Sequence, residues 1–382
     1  MSDHARLVQE KVDQAVAILN EMEIDAWMTF VRETALTPDP ALDLILGMDM
    51  VWQSAFIITR TDERIALVGK HDAENVQSTG AYTEIIPYVE GIREALAQVL
   101  LDLNPAQIAL NYSESDTAAD GLGHGLMLLL QRYLLDTNMT RRFVSAEAII
   151  NALRGRKSPT EVERIRAAID TTQDIFQEVG AFARPGMSER TIADYVHRLA
   201  NEQGLGTAWD WEYCPTVSAG PDSPVGHAAP QEQYQVTPGA LLHMDFGVKQ
   251  NGFCADLQRI WYVRRDEQDG PPEALQAAFD AVRQALLTGM EALRPGVQGW
   301  QVDEVARQTI VEAGYPEYQH AFGHHVGRYA HDGATVLGPR WERYGQTPYG
   351  LVEAGNVFAI ELGVELEGFG YIGQEENVIV TD

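Results

Sequence analysis

The sequence predicts an α/β domain over residues 1–155, followed by an α+β domain over residues 156–382 built from two related halves. Three observations lead there. Short β-rich runs alternate with helical stretches through the first 150 residues. A basic joint followed by a capping box marks a fresh helix start at Ser158. A helix–turn–helix pattern then recurs at an offset of 110 residues.

In the first domain, residues 4–22 form an amphipathic helix, with Leu7, Val12, Ala15, Ile18 and Met22 near helical spacing. Strands are expected over Ala26–Val31, Ala55–Thr59, Ile65–Val68, Ile85–Val89 and Ile108–Tyr112. Helices are expected over Ile92–Leu103 and Ala119–Leu135. This half holds no phosphate-cradling glycine motif and no metal-ligand spacing. Arg32, Glu33 and Trp52 are compatible with bordering a site and with plain surface or core roles.

The joint Arg154-Gly155-Arg156-Lys157 precedes Ser158-Pro159-Thr160-Glu161, an N-cap with proline at the first helical position. That helix runs to about Ala183, and a second, from about Glu189 to Gln203, ends at Gly204. Residues 167–204 align without a gap to residues 277–314. Arg184, Pro185, Gly186 and Gly204 match Arg294, Pro295, Gly296 and Gly314, all at helix stops, where residue type sets backbone geometry. Two halves related by a pseudo-two-fold axis place a site between them.

Composition narrows the function classes. The net charge of −28 is spread along the 382 residues and repels phosphate backbones, which argues against nucleic acid as a partner. Cys214 and Cys254, with no CxxC, fit a reducing compartment. The polar start of the chain has no signal-peptide pattern, and no apolar run is long enough to span a bilayer. A cytoplasmic protein without a membrane partner is the expectation.

The chemistry concentrates in the second half. Leu241 to Val263 reads as a hairpin around Lys249-Gln250-Asn251-Gly252. Whether the loop centres on Gln250-Asn251 or on Asn251-Gly252, Asp245 and Asp256 fall on one face. Two carboxylates there either face solvent or flank a cation. Downstream, His320, His324, His325 and His331 cluster within twelve residues, and histidine is the commonest metal ligand. Glu361 lies inside the apolar run Val357–Leu362, and Glu375 opens the last strand-like run. Four strand carboxylates and one histidine from this set would together make a carboxylate-rich divalent site.

The order Asp, eleven residues on Asp, Gly-His-x-x-Gly, Glu and a last Glu resembles the metallopeptidases of the pita-bread fold. This is family M24, the group of aminopeptidase P, prolidase and methionine aminopeptidase. The first domain and its basic joint resemble the aminopeptidase P and prolidase branch, which shares its architecture with creatinase. The resemblance implies a creatinase-like domain over 1–155 and a catalytic pita-bread domain over 156–382. It implies five metal ligands: Asp245, Asp256, His324, Glu361 and Glu375, with Asp256 and Glu375 bridging two divalent ions. It implies a hydroxide between those ions that attacks the scissile carbonyl of an Xaa-Pro bond in short, proline-containing peptides. Glu361 would be general base then acid, His331 would stabilise the tetrahedral intermediate, and His227 would hold the substrate backbone. Oxygen-rich ligands with one imidazole suit Mn²⁺ first, then Co²⁺, with Zn²⁺ or Fe²⁺ as further options. The resemblance also implies a homodimer.

Two departures stand out. Leu362 replaces the proline usual after the first glutamate, a change of backbone path rather than chemistry. Gly373 replaces the arginine usual two residues before the last ligand, which weakens strict dipeptide specificity; Arg328 or Arg340 are the candidate substitutes. Trp209, Trp211 and Tyr213 fit both a proline pocket and core packing. The alternatives are a non-catalytic peptide-binding protein on this fold and a hydrolase of another amide or C–N bond. The complete ligand set favours the peptidase.

Overall fold

A computed structural model of the chain describes residues 2–226, 228–265 and 269–381. The chain divides into two compact units, Met1–Arg154 and Gly155–Asp382. Among the described residues no helix is long and apolar enough to cross a membrane.

The first unit runs α1 (Asp3–Glu21), β1 (Ala26–Val31), α2 (Leu42–Ile45), β2 (Ser54–Thr59), β3 (Arg64–Gly69), α3 (Ala73–Thr79), β4 (Glu84–Tyr88), α4 (Arg93–Leu103), β5 (Ile108–Leu110), α5 (His124–Tyr133), β6 (Phe143–Ser145) and α6 (Glu147–Gly155). Its six strands order β4-β3-β2-β1-β5-β6. Strand alternation gives each face its own core. Trp27, Phe56 and Ala66 pack with Val8, Val12 and Ile18 of α1, while Met28, Phe30 and Ile57 pack with Leu96 and Leu100 of α4. The expected helix over Ala119–Leu135 starts late, at His124, because Asp39 fills the space beside Gly121 and Gly123 is the N-cap. The expected strand over Ile108–Tyr112 stops at Leu110, where the buried Asn111 amide turns to Trp27 Nε1 at 2.6 Å and to Asp39. Trp52 packs against His71 and Tyr88 within this unit.

The second unit runs α7 (Pro159–Phe182), α8 (Glu189–Glu202), β7 (Gly206–Thr207), β8 (Thr216–Ala219), β9 (Leu241–Phe246), β10 (Val248–Gln250), β11 (Phe253–Cys254), β12 (Leu257–Tyr262), α9 (Glu273–Ala292), α10 (Gly299–Glu312), β13 (Gly323–His325), β14 (Val357–Leu366) and β15 (Gly370–Ile379). Ser158 caps α7 with the reciprocal Glu161 bond and Pro159 in the first turn. The repeat is a structural one. α7–α8 and α9–α10 turn through Gly186 and Gly296, whose φ values are 88° and 87°. Gly186 N–H donates to Val236 O and Gly296 N–H to Val352 O, and the bridges Ser188–Gln235 and Gln298–Leu351 are equivalent. Both positive φ values need glycine.

A six-stranded antiparallel sheet of order β13-β14-β15-β12-β9-β8 carries the unit. Core residues from α9 and α10 cover one part of it, and residues from α7 and α8 another. The hairpin closes on a two-residue turn, Asn251-Gly252, with Gln250 opposite Phe253 and φ values of 51° and 81°. Its tip, β10–β11, pairs with β7 in a small separate sheet, while its base, β9–β12, belongs to the large one. The break falls at Gly247, where a side chain would overlap the Ala255 carbonyl. β14 runs unbroken through Leu362, which pairs with Gln374. Cys214 and Cys254 are both buried and unbridged.

Candidate metal centre

The hairpin register explains the first two acids. Asp245 pairs with Gln258, and Asp256 lies two residues before Gln258, so both carboxyls leave the same face. Asn377 pins the Asp256 backbone from both sides, accepting its N–H at 3.1 Å and donating to its carbonyl at 2.8 Å. On the neighbouring strands, Glu361 of β14 lies directly opposite Glu375 of β15, and Glu375 is in turn opposite Gln258 of β12. Glu376 points the other way and pairs with Arg259 at 3.1 Å.

His324 of β13 completes the group. Its ladder bonds to β14 are reinforced from behind: Asp303 of α10 accepts the Phe322 N–H at 3.1 Å, and Arg307 donates to the His320 carbonyl at 2.8 Å. His324 Nδ1 lies 3.2 Å from the His325 carbonyl, which can only accept, so Nδ1 carries the proton. That leaves Nε2 as a bare lone pair facing Asp256 Oδ2 at 3.8 Å and Glu361 Oε1 at 4.0 Å. Three acceptors therefore face one another. Ligand atoms of Asp256, His324 and Glu375 all fall within 4.8 Å of each other.

These groups line a cavity of about 440 Å³ shared by Asp245, Asp256, His324, His331, Glu361 and Glu375 with Trp209 and Tyr329. Burial pushes the acids up. Asp245 is held well above the usual carboxylate range by desolvation, then by Asp256 and Glu361. Glu375 is also well above it, from desolvation and the charges of Asp256, Glu361 and Asp245. Asp256 is pushed up to about 7 by desolvation, against which His324 lowers it and Glu361 raises it. Asp245 Oδ1 and Glu375 Oε2 are buried with no hydrogen-bond partner among the described residues. Buried carboxylate oxygens without donors are costly unless a cation meets them. An oxygen-rich set with one imidazole fits a divalent first-row metal.

His331 reaches the same cavity, its ring 4.2 Å from that of His324. The next residue, Asp332, is buried and ion-paired with Lys157 Nζ at 2.6 Å, which fixes the turn. His227 lies outside the described residues. Of the three aromatics singled out in the sequence, only Trp209 lines the cavity; Trp211 stacks on His197 and Tyr213 is exposed. Arg328 packs over Phe253 and Arg340 over Trp300, and neither lines the cavity. Sequence reasoning missed Gln258 and His243, which sit behind the acids. The signal was present: His243-x-Asp245 and Asp256-x-Gln258 are polar pairs at strand spacing in otherwise apolar runs.

An uncharacterized peptidase of Staphylococcus saprophyticus is 24% identical to this chain, over 97% of each chain. The structure resembles an Xaa-Pro dipeptidase from Bacillus anthracis with TM-score 0.74 and 21% identity, covering 98% of this chain and 95% of that one. It resembles an X-Pro aminopeptidase from Thermotoga maritima with TM-score 0.70 and 22% identity, covering 97% and 95%. These likenesses place the fold among the pita-bread proteins with an amino-terminal α/β unit. The profile of metallopeptidase family M24 matches residues 163–382, more than half of the chain and all of the acids and histidines of the described cavity. The chain therefore belongs to metallopeptidase family M24, a family of metal-dependent peptidases.

Proposed function

We propose that this protein is a dinuclear metal-dependent peptidase that hydrolyses the Xaa-Pro bond of short peptides. The observation that carries the reading is the convergence of Asp245, Asp256, His324, Glu361 and Glu375 on one cavity, where Asp245 Oδ1 and Glu375 Oε2 are buried without donors among the described residues. In this reading Asp245, Asp256, His324, Glu361 and Glu375 would hold the two ions. Mn²⁺ is the first choice. The Xaa-Pro preference rests on the names of the Bacillus anthracis and Thermotoga maritima neighbours.

Bound divalent ions supply Lewis acidity at the scissile carbonyl and a water acidic enough to ionise near neutral pH. The rest is done by side chains. Glu361, at the cavity wall, accepts the attacking water's proton and returns it to the leaving amine. His331 donates an N–H to the developing oxyanion. His227 holds the substrate backbone. Trp209 and Tyr329 supply an apolar wall that excludes water from the bond being cut.

No arginine or lysine is among the described residues that line the cavity. A dipeptide's terminal carboxylate would enter beside four acids without an arginine or lysine side chain to meet it. This favours peptides of three or more residues over dipeptides. The first unit is read as a creatinase-like domain and the assembly as a homodimer, which light scattering checks.

The test is cleavage by the Mn²⁺-reconstituted protein of Ala-Pro, Ala-Pro-Ala and Ala-Ala-Ala, read by mass spectrometry. Loss of Ala-Pro-Ala alone is expected. Loss of Ala-Pro at a comparable rate would overturn the length preference. No cleavage of either proline peptide, with Mn²⁺ bound, would discard the Xaa-Pro reading.

A further inference from the structure

Gly373 of β15 faces Gly363 of β14, and this pair of side-chain-free residues opens a slot beside the acids. A Cβ at Gly373 would overlap Gln258 Oε1 and would lie 2.6 Å from Tyr371 Cε1 and 2.8 Å from His243 Nε2. The slot is therefore occupied by the side chains of Gln258, His243 and Tyr371. Gln258 is 5% exposed and His243 4% exposed, so neither exchanges partners with solvent.

The hydrogen bonds there have one consistent direction. Gln258 Nε2 donates to Glu361 Oε2 at 2.8 Å. A carboxylate only accepts, so the amide nitrogen must face it and the amide oxygen must face away. That oxygen lies 3.0 Å from His243 Nε2, which must then be the protonated ring nitrogen. His243 Nδ1 is buried with no hydrogen-bond partner among the described residues, as befits a bare lone pair rather than an N–H. The Tyr371 ring stands edge-on to the imidazole at 5.1 Å and 85° and fixes its plane. The same amide is close enough to Glu375 to offset part of the cost of burying that carboxylate.

We infer that Gln258 is a positioning residue for Glu361 and Glu375, locked in orientation by the Nε2–H tautomer of His243 and given room by Gly373. The assignment rests on the metal-site reading above. A neutral amide suits this place, because it presents N–H to the acids without competing as a cation for their charge. It also explains why residue 373 carries no side chain: anything there would turn the amide away from Glu361.

The assignment is tested by Mn²⁺ titration calorimetry and by histidine ¹⁵N–¹H correlation spectra, neither of which needs substrate. Gln258→Met keeps the length and removes both hydrogen bonds; Gly373→Ala keeps Gln258 and removes its room. Both are expected to weaken Mn²⁺ binding about 10- to 100-fold, the usual effect of losing a partner behind a metal ligand. The wild-type spectrum is expected to show His243 with its proton on Nε2, and Gln258→Met is expected to lose that single-tautomer pattern. Mn²⁺ affinity within twofold of wild type in both variants would overturn the assignment. So would a wild-type His243 protonated on Nδ1, a result that stands even if a variant fails to fold. Wild-type protein that binds Mn²⁺ yet cleaves no proline peptide would sink the substrate reading and leave the Gln258 assignment intact.

Discussion

Replacing Asp256 with asparagine is expected to abolish hydrolysis and, in metal-free protein, to raise stability as the pH rises. The carboxyl is 5% exposed and pushed up to about 7 from its ordinary 3.8 by burial, with His324 lowering it and Glu361 raising it. The folded state therefore keeps a proton that the unfolded chain gives up near pH 4. That contribution is fully present below the unfolded value and is lost as pH rises through about 7. From pH 6 to pH 8 the folded carboxyl holds on average about half a proton, and each proton is worth about 1.4 kcal/mol per pH unit. Metal-free wild type should thus lose on the order of 1 kcal/mol relative to Asp256→Asn across this range. For a unit of this size that is roughly 2–4 °C in Tm. His243, pushed down to about 4 by burial, works in the opposite direction, but it is common to both proteins and cancels in the comparison. The assay is thermal unfolding of chelator-treated wild type and variant at pH 6, 7 and 8. With saturating Mn²⁺ the wild-type trend should reverse, because ligands must be deprotonated to bind. A wild-type-minus-variant difference that is constant from pH 6 to pH 8, or a variant less stable than wild type at pH 8, would refute the buried-carboxylate argument.

Other perturbations separate the parts of the site. Glu361→Gln should lower kcat by about 10²–10⁴ as a lost proton acceptor, measured on Ala-Pro-Ala with Mn²⁺ occupancy checked by calorimetry. Gly247→Ala puts a methyl group onto the Ala255 carbonyl, so the hairpin must open. It should cost about 1–3 kcal/mol in urea unfolding and weaken Mn²⁺ binding by moving Asp256 away from Asp245. Lys157→Met leaves the buried Asp332 carboxylate without its cation and should cost about 3–5 kcal/mol in urea unfolding. Because Asp332 follows His331, that variant should also lower kcat on Ala-Pro-Ala, whereas a purely structural pair would leave kcat unchanged.

Much of the fold was legible in the chain because local chemistry and tertiary demand coincide. Ser158, Pro159 and Glu161 open α7 whatever it packs against, since the capping bonds lie within one turn. Gly186 and Gly296 stop helices at equivalent places because only glycine takes their positive φ without strain. The Asn251-Gly252 turn sets the register of the hairpin, and strand alternation then puts Asp245 and Asp256 on one face. Where prediction slipped, a distant residue had intervened. Asp39 occupies the space beside Gly121 and delays α5, and Asn111 ends β5 by turning toward Trp27.

What the sequence determined by itself was therefore the element order, the internal repeat and the residues offered to a cation. Each depends on backbone preferences and on a period of two or 3.6, which are properties of short stretches. Only the tertiary structure decided which of those residues meet. Pairing of β15 with both β12 and β14 sets Glu375 beside Glu361 of the preceding strand and beside Gln258, more than a hundred residues earlier in the chain. It also decided that Glu376 turns to Arg259, that Trp211 leaves the cavity for His197, and that Gln258 fills the space beside Gly373. Such choices follow from register across strands and from the space left by neighbours, and neither is written in any single stretch of chain.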